Sequence, residues 1–158
     1  MATAFDLDDT DWSLLRELQA NARITLSELS RRVGLTAPAV GERMRRLEEA
    51  GIVRGYHAVV DLEKVGRTIT AFVRLRFVGG KYDAFKRVVE RSHEILECHH
   101  VAGEDCFIIK AAVVRMADLE RLASSLSRFG STATSIVYST TLDGRIVDDV
   151  SRVILTAS

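Results

Sequence analysis

Apolar residues in the first third of the chain recur at helical spacing. Leu14, Leu15 and Leu18 fall on one stripe and predict a first helix over residues 9–20. The aspartates at residues 8–11 suit the beginning of that helix, because carboxylates are stabilised near its positive end. The chain therefore begins, on pattern alone, with an amphipathic helix.

A second, shorter helix is predicted after a brief connection. Thr25 and Glu28 have the spacing of a capping box, in which each side chain bonds a backbone N–H group of the other residue. The apolar side chains expected to face inward at helical spacing are Leu26, Leu29 and Val33. Gly34 is placed to end the helix, since glycine readily adopts a left-handed conformation.

The stretch at residues 35–51 predicts a third helix with its own start and stop signals. Thr36 is a suitable N-cap and Gly51 a suitable C-terminal stop. Its apolar stripe contains Val40, Met44 and Leu47. Its opposite face carries Pro38, Glu42, Arg45 and Glu49. A helix anchored on one side and rich in arginine on the other is what a DNA major groove accepts.

Three helices with a short glycine-containing turn before the third predict a helix-turn-helix. In that motif the second helix crosses the phosphate backbone and the third enters the major groove. The side chains expected at phosphates are Arg31 and Arg32. Those expected at the groove or its phosphates are Thr36, Pro38, Ala39, Glu42, Arg43, Arg45 and Arg46. The alternative is a helical bundle used for packing or dimerisation, with the arginines as solvated charge.

The second half alternates between strand and helix patterns. Strands are predicted over residues 52–61, 68–78, 94–102, 105–114 and 132–142. Helices are predicted over residues 81–92 and 116–129. From residue 68 onward the order is βαββαβ, the ferredoxin-like motif. Its sheet leaves one face without helices, and a second copy of the chain is expected to cover that face.

The C-terminal tail has no single predicted conformation. Asp143 and Gly144 suggest a tight turn. Ile146, Val150 and Val153 are spaced like a helix face, but their β-branched side chains suit a strand equally. We expect this tail to pack on another subunit.

Composition narrows the class of protein. An apolar fraction of 47% with 28% charged residues is typical of a globular chain. The acidic N-terminus lacks the features of a secretory signal and no apolar run reaches the ~18 residues of a membrane span, so we expect a cytoplasmic protein without a membrane partner. Two cysteines are too few for a disulfide framework. The net charge is zero, but residues 31–56 carry six arginines against three glutamates, which concentrates positive charge around the third helix.

The first third also carries a long motif. Residues 8–56 match DxxDxxLLxxLQxNARxxLxELxxxVGLTxxxVxxRxxRLExxGxIxGY at every defined position but one. This resembles the signature of the Lrp/AsnC, or feast/famine, transcription regulators of bacteria and archaea, with nearly every position filled. One isoleucine of that signature is Val53 here, a mild change between two β-branched apolar residues. In the second half, HVAGEDCFIIK at residues 100–110 resembles a hairpin of the same family.

The resemblance implies partners and a second site. It implies double-stranded DNA as a partner, a linker strand that pairs between subunits, and dimers that assemble into tetramers or octamers. It also implies a small amino-acid effector bound between subunits of the second domain. The effector residues carried over in the hairpin are Val101, Ala102, Gly103, Glu104, Asp105 and Cys106. Those on the facing loop, which leads into the last strand, are Gly130, Ser131, Thr132, Ala133 and Thr134.

The chemistry of these residues suits an amino acid. Gly103 permits close backbone approach, and Glu104 and Asp105 offer charge to an ammonium group. Hydroxyl groups such as that of Ser131 can donate to the carboxylate of the bound amino acid. The alternative is a plain hairpin with acidic turn residues. Many relatives carry Asp at the position of Cys106, so this protein uses another carboxylate, senses another ligand, or senses none.

Neither a metal site nor an enzyme is predicted. Cys98, His99 and His100 lie near Cys106 in sequence and include types of residue that bind zinc or copper. Adjacent strand residues point to opposite faces, however, so the two histidines cannot face one ion together. Cys98 is expected to pack as a small apolar side chain. No phosphate loop, nucleophile motif or pair of catalytic carboxylates indicates catalysis, and no cofactor is predicted.

The sequence thus predicts an α+β protein with two domains. Residues 1–56 form a winged-type helix-turn-helix domain, residues 57–67 a linker strand, and residues 68–158 a ferredoxin-like βαββαβ domain for effector sensing and oligomerisation. We expect a sequence-specific regulator whose paired recognition helices lie roughly 34 Å apart on a pseudo-palindromic site. The alternative function is an oligomeric module that senses a small molecule, an amino acid or a metal ion, and uses its N-terminal helices only for packing.

Overall fold

The chain folds into two compact units. The computed structural model describes residues 6–103 and 106–149. One unit combines Met1–Val59 with Leu142–Ser158 and is called here the helical unit; the other, Val60–Thr141, is called the sheet unit. The elements in chain order are α1 Asp9–Ala20, α2 Leu26–Val33, α3 Ala37–Glu49, β1 Ile69–Phe77, α4 Tyr82–Arg91, β2 Ile95–His100, β3 Phe107–Val113, α5 Met116–Ser127 and β4 Gly130–Ile136. Within the described ranges, no helix is both long enough and apolar enough to cross a bilayer.

The helical unit contains the three predicted helices with their predicted caps, except that the complete capping box lies at α1 and not at α2. The reciprocal capping box lies at α1, where Asp8 accepts from the Asp11 N–H at 2.8 Å and the Asp11 carboxylate accepts from the Asp8 N–H at 3.3 Å. At α2 only half of the predicted box forms. Thr25 Oγ1 accepts from the Glu28 N–H at 3.1 Å, but the Glu28 carboxylate bonds arginines instead.

The predicted apolar stripes meet in one core, except that Leu26 of α2 is 50% exposed and was wrongly predicted to face inward. Leu14, Leu29, Val40 and Met44 are buried together, one or two from each helix. Gly34, with φ 71°, ends α2 in the left-handed conformation that glycine tolerates. The arrangement anchors α3 by its apolar side and leaves its other side exposed.

Residues 52–61 do not form the predicted strand. Only Ile52 and Val53 in this stretch have backbone N–H groups that bond α3, both to the carbonyl of Leu47, and the rest is irregular. An extended segment becomes a strand only when a neighbour pairs with its backbone. No described residue of this chain does so, and the β-branched pattern could not reveal that.

The described part of the C-terminal tail contacts α1 of its own chain. The side-chain amide of Gln19 donates to the carbonyl of Val147 at 2.8 Å and accepts from its N–H at 2.7 Å. Arg16 pairs with Asp148 at 2.8 Å. Residues 142–149 are neither helix nor strand, so neither predicted conformation occurs there. The remaining apolar positions, from Val150 onward, lie outside the described residues.

The sheet unit has the predicted βαββαβ order. Its antiparallel sheet runs β2-β3-β1-β4, with β1 at Val73 facing Ile109 of β3 and Thr134 of β4. Val73 and Ile109 point toward α4 and α5 and are fully buried. Four phenylalanines, Phe77, Phe85, Phe107 and Phe129, pack at one end of this core.

The opposite face of the sheet carries none of the described helices. It presents side chains such as Phe72, which is 39% exposed, with Arg74 and Arg76 beside it on β1. We expect a second subunit to cover this face, as the sequence predicted.

The last strand lies earlier in the chain than predicted. It begins at Gly130, opposite Phe77, and ends at Ile136, opposite Ala71. The alternating pattern continues through Tyr138, and the Val137 N–H still donates to the Thr70 carbonyl at 2.9 Å, but the paired register with β1 ends at Ile136. Where pairing with β1 ends, rather than where the alternation of residues ends, sets the end of β4.

Candidate nucleic-acid interface and ligand site

The third helix separates a buried stripe from an exposed surface. Val40, Met44 and Leu47 are at most 7% exposed, which confirms the predicted apolar side. Thr36 caps the helix by accepting from the Ala39 N–H at 3.4 Å. The other predicted contact residues at its exposed side are Pro38, Glu42, Arg45 and Arg46.

Arg43 differs from the other arginines of α3. Its guanidinium donates to Asp8 at 2.7 Å and to Asp11 at 2.8 Å, so it ties α3 to the beginning of α1. The Asp11 side chain is only 6% exposed, and its charge is compensated there by Arg43. The backbone hydrogen bond from Asp11 and the bond from Arg43 lower the pKa of Asp8. We call Asp8, Asp11 and Arg43 the α1–α3 latch.

Arg45 lies between two carboxylates of its own helix. It donates to Glu42 at 2.6 Å, one turn before it, and also bonds Glu49, one turn after it. The bond from Arg45 lowers the pKa of Glu42, so that carboxylate stays ionised at neutral pH. The positive charge of Arg45 is therefore largely balanced before any ligand arrives.

The two arginines of α2 have the same kind of partner. Glu28 bonds Arg31, and it accepts from Arg32 at 3.0 Å. Arg32 also reaches Glu17 of α1 at 2.7 Å. The sequence predicted these arginines as contact residues but not the roles of the carboxylates, although a spacing of three or four residues indicates the pairs that lie within one helix. A phosphate bound by Arg31 or Arg32 would have to displace Glu28 from the guanidinium group.

The sheet unit brings the two predicted groups of effector residues to one end of β1. The hairpin between β2 and β3 closes through a bond from the Val101 N–H to the Cys106 carbonyl at 2.9 Å. The Cys106 thiol points to the Phe77 carbonyl at 3.8 Å, and Gly130 pairs with Phe77 from the other side. Gly103, with φ 132°, adopts the conformation that only glycine takes readily. Exposed Ala102 adjoins it, while Glu104 and Asp105 lie outside the described residues.

The β4 candidates do not all face one way. They lie within the strand itself, not on a loop as predicted. Thr132 and Thr134 pair with buried residues of β1 and share the helix side of the sheet, whereas Ser131 and Ala133 lie on the helix-free face. Hydroxyl groups from both sides therefore cannot reach one ligand together.

Gly130 is required for the close approach of β4 to β1. A Cβ atom at this position would lie 1.9 Å from the carbonyl oxygen of Arg76, far inside van der Waals contact. Its φ of 156° also disfavours other residues. The glycine thus serves the pairing of the strands at the end where the hairpin lies.

The cysteine and histidine cluster is divided by the sheet. Cys98 packs against the core on the helix side, and burial raises the pKa of its thiol. His99 lies on the other side and bonds Glu97 at 3.1 Å. This alternation was predicted from the strand pattern. Among the described residues, no group of three potential ligands is placed to hold a metal ion.

Two family models match the two parts of the chain. A winged helix-turn-helix DNA-binding model matches residues 7–54, and an Lrp/AsnC ligand-binding domain model matches residues 70–147. The chain belongs to the Lrp/AsnC family. Its predicted fold class is confirmed, since the helix-turn-helix and the ferredoxin-like sheet are those of this family.

Individual relatives agree with this assignment. The Mycobacterium tuberculosis transcriptional regulator LrpA is 40% identical over 135 residues, which are 85% of this chain and 88% of LrpA. The structure of Bacillus subtilis LrpC has a TM-score of 0.84 at 28% identity, and the match covers 89% of this chain and all of LrpC. A Neisseria meningitidis transcriptional regulator in complex with L-methionine has a TM-score of 0.83 at 31% identity, covering 90% and 96% of the two chains.

This Lrp/AsnC protein is a DNA-binding transcription regulator with a ligand-binding domain, as the sequence predicted. The relatives are regulators and not enzymes. The DNA-binding family model disfavours the alternative in which the N-terminal helices serve only packing.

Proposed function

We propose that this regulator reads a pseudo-palindromic DNA site through α3 and is controlled by a small amino acid. The observation that supports this most directly is the α3 surface. It is anchored by three buried residues on one side and carries arginines on the other. A helix held in this way can enter a major groove without losing its packing.

The proposed DNA contacts divide by role. Arg31 and Arg32 contact phosphates beside the groove. The groove contacts are Thr36, Pro38, Ala39, Glu42, Arg45 and Arg46. Arg43 contributes mainly by orienting α3, because its guanidinium is held by Asp8 and Asp11.

The proposed effector site lies at the end of β1, where the hairpin and the beginning of β4 adjoin Phe77. The L-methionine bound to the N. meningitidis relative supports an amino acid as the ligand class. Thr132 and Thr134 share one face and are the hydroxyl donors best placed to act together. Cys106 has a thiol where a carboxylate would bind an ammonium group, so Glu104 and Asp105 are the proposed partners of that group.

The proposed assembly is a homodimer that forms tetramers or octamers in the cytoplasm. The helix-free face of the sheet, with Phe72 partly exposed, supports subunit contact there. An effector bound between subunits would change the spacing of the α3 helices, a coupling typically worth about 1–3 kcal/mol.

The first test is fluorescence anisotropy on labelled DNA from upstream of the gene, with and without L-methionine. We expect Arg46→Ala to weaken specific binding about tenfold or more, since one good base contact is worth about 1–3 kcal/mol. L-methionine should change the affinity of the unmodified protein.

Arg23→Ala is the matched control, because Arg23 is an exposed arginine of the same unit outside the proposed contact set. Equal affinities for the two variants would contradict the α3 assignment. Binding that no amino acid in a panel of twenty alters would contradict the effector proposal and leave the DNA proposal intact.

A further inference from the structure

A second, chemically different groove lies on the helix side of the sheet unit. It runs between α4 and α5 and has a volume of about 390 Å³. Its floor includes Val88, Leu122 and Phe129, of which the last two are buried. It lies on the opposite side of the sheet from the face expected to contact a second subunit.

Four arginines line this groove. Arg87 and Arg91 are one turn apart on α4. Arg121 lies on α5, and Arg128 caps its C-terminal end. All four are exposed, and Glu94 is the carboxylate among the lining residues.

Most of this positive charge has no carboxylate partner in the part of the chain that the structure describes. Arg121 bonds Asp118 at 2.9 Å and Glu94 at 3.4 Å. Within residues 6–103 and 106–149, no carboxylate oxygen lies within 4.0 Å of the guanidinium nitrogens of Arg87, Arg91 or Arg128. Like charges gathered in a groove repel one another, and a bound anion would relieve that repulsion.

The side chain of Arg87 illustrates the difference between the groove and the rest of α4. Carboxylates stand about one turn away at Asp83 and Glu90, yet the guanidinium of Arg87 bonds neither. Glu90 instead pairs at 3.7 Å with Lys86, which does not line the groove. Arg87 thus remains available to a ligand while its neighbour on the same helix does not.

The charge and shape of the groove select a class of ligand. Guanidinium groups bind phosphate through two parallel hydrogen bonds, and a phosphate ester carries about −1.5 to −2 charge at pH 7. The volume lies within the ~300–1,000 Å³ typical of small-molecule sites, and the apolar floor suits an organic body. An amino-acid zwitterion has no net charge and would gain little there.

We propose that the α4–α5 groove binds a small organic phosphate, of the size and charge of a nucleoside diphosphate. This site is separate in position and chemistry from the proposed amino-acid site and does not depend on it. It gives the regulator a second input, one that reports a phosphorylated metabolite.

Isothermal titration of ADP into the full chain tests the proposal, with Arg87→Ser as the variant and Lys86→Ser as the matched control. Both changes remove one positive charge from the exposed side of α4. We expect Arg87→Ser to weaken ADP binding at least tenfold and Lys86→Ser to weaken it less than twofold. Circular dichroism should show both variants folded, since both side chains are exposed.

A second titration with excess duplex DNA separates this groove from the DNA-binding surface. ADP bound in the groove should keep its affinity, whereas ADP displaced by DNA would overturn the proposal. Equal losses of ADP affinity in Arg87→Ser and Lys86→Ser, or no measurable ADP binding to the unmodified protein, would also overturn the proposal. Poly-glutamate that binds where ADP does not would assign the groove to an acidic peptide and contradict the phosphate class.

Discussion

Two arginines of the helical unit and three of the α4–α5 groove are all exposed but differ in their partners. Arg32 and Arg45 bond glutamates of their own unit. Arg87, Arg91 and Arg128 have no such partner among the described residues. The comparison shows that basic surfaces are of two kinds. In one, carboxylates of the chain already pair with the guanidinium groups; in the other, they do not. We expect the glutamates to restrain the first set against non-specific phosphate binding, whereas no carboxylate among the described residues would restrain the second.

The largest effect is expected at the α1–α3 latch, where the paired charges are least exposed. Asp11→Asn should lower the free energy of unfolding of the helical unit by about 2 kcal/mol, in the range for hydrogen bonds to charged groups. Urea unfolding followed by Trp12 fluorescence reports this unit, since the chain has one tryptophan. Glu49→Gln, a 61% exposed position, should change it by less than about 0.5 kcal/mol. Equal effects would show that the latch is an ordinary surface pair.

A smaller effect is expected at Glu28, which bonds both arginines of α2. Glu28→Gln should raise the affinity for non-specific duplex DNA about fivefold. It should also steepen the salt dependence by about one counterion, because phosphates would no longer compete with this carboxylate. Anisotropy at several salt concentrations measures both quantities.

Glu90→Gln is the control for Glu28→Gln, because it makes the same change in net charge on α4 of the sheet unit. An identical increase in both variants would mean that total charge, and not the internal partner, restrains binding. The paired and unpaired arginines would then differ in geometry but not in how strongly they attract DNA phosphates.

The smallest effect concerns pH. The pKa of Asp8 is lowered from 3.8 in the folded chain, so its ionised form stabilises the fold above pH 3.8, and that contribution is lost as the pH falls through the folded pKa. Because the Asp8 side chain is 53% exposed and its charge is screened by solvent, Asp8→Asn should cost only about 0.5 kcal/mol at neutral pH and nothing at pH values below the folded pKa. Thermal unfolding across this pH range checks it. If Asp8→Asn remained less stable than the unmodified protein in strong acid, the role of Asp8 would depend on the shape of its side chain and not on its charge.

Prediction from sequence succeeded where the deciding interactions are local. The bounds of α1 and the caps at Thr25 and Thr36 depend on residues within one turn, so the pattern contains the required information. Strand β1 was predicted to within one residue at each end because alternating burial is visible in its own residues.

Prediction failed where a distant neighbour decides. The stretch at residues 52–61 has strand-forming residues but pairs with no described residue of its own chain, and β4 ends where its pairing with β1 ends. The candidate effector residues were brought to one end of β1 as a group, but only the register shows that Thr132 and Ser131 lie on opposite faces.

The sequence by itself determined the family, the order of the elements, and the side of α3 that carries arginines, because caps, periodicity and motif spacing act over a few residues. Only the tertiary structure decided which arginines are paired with carboxylates. The partners of Arg43 lie 32 and 35 residues away from it, and the α4–α5 groove joins residues of two separate helices. Coulomb interactions depend on distance in space and not along the chain, so the charge available to a ligand is a property of the fold.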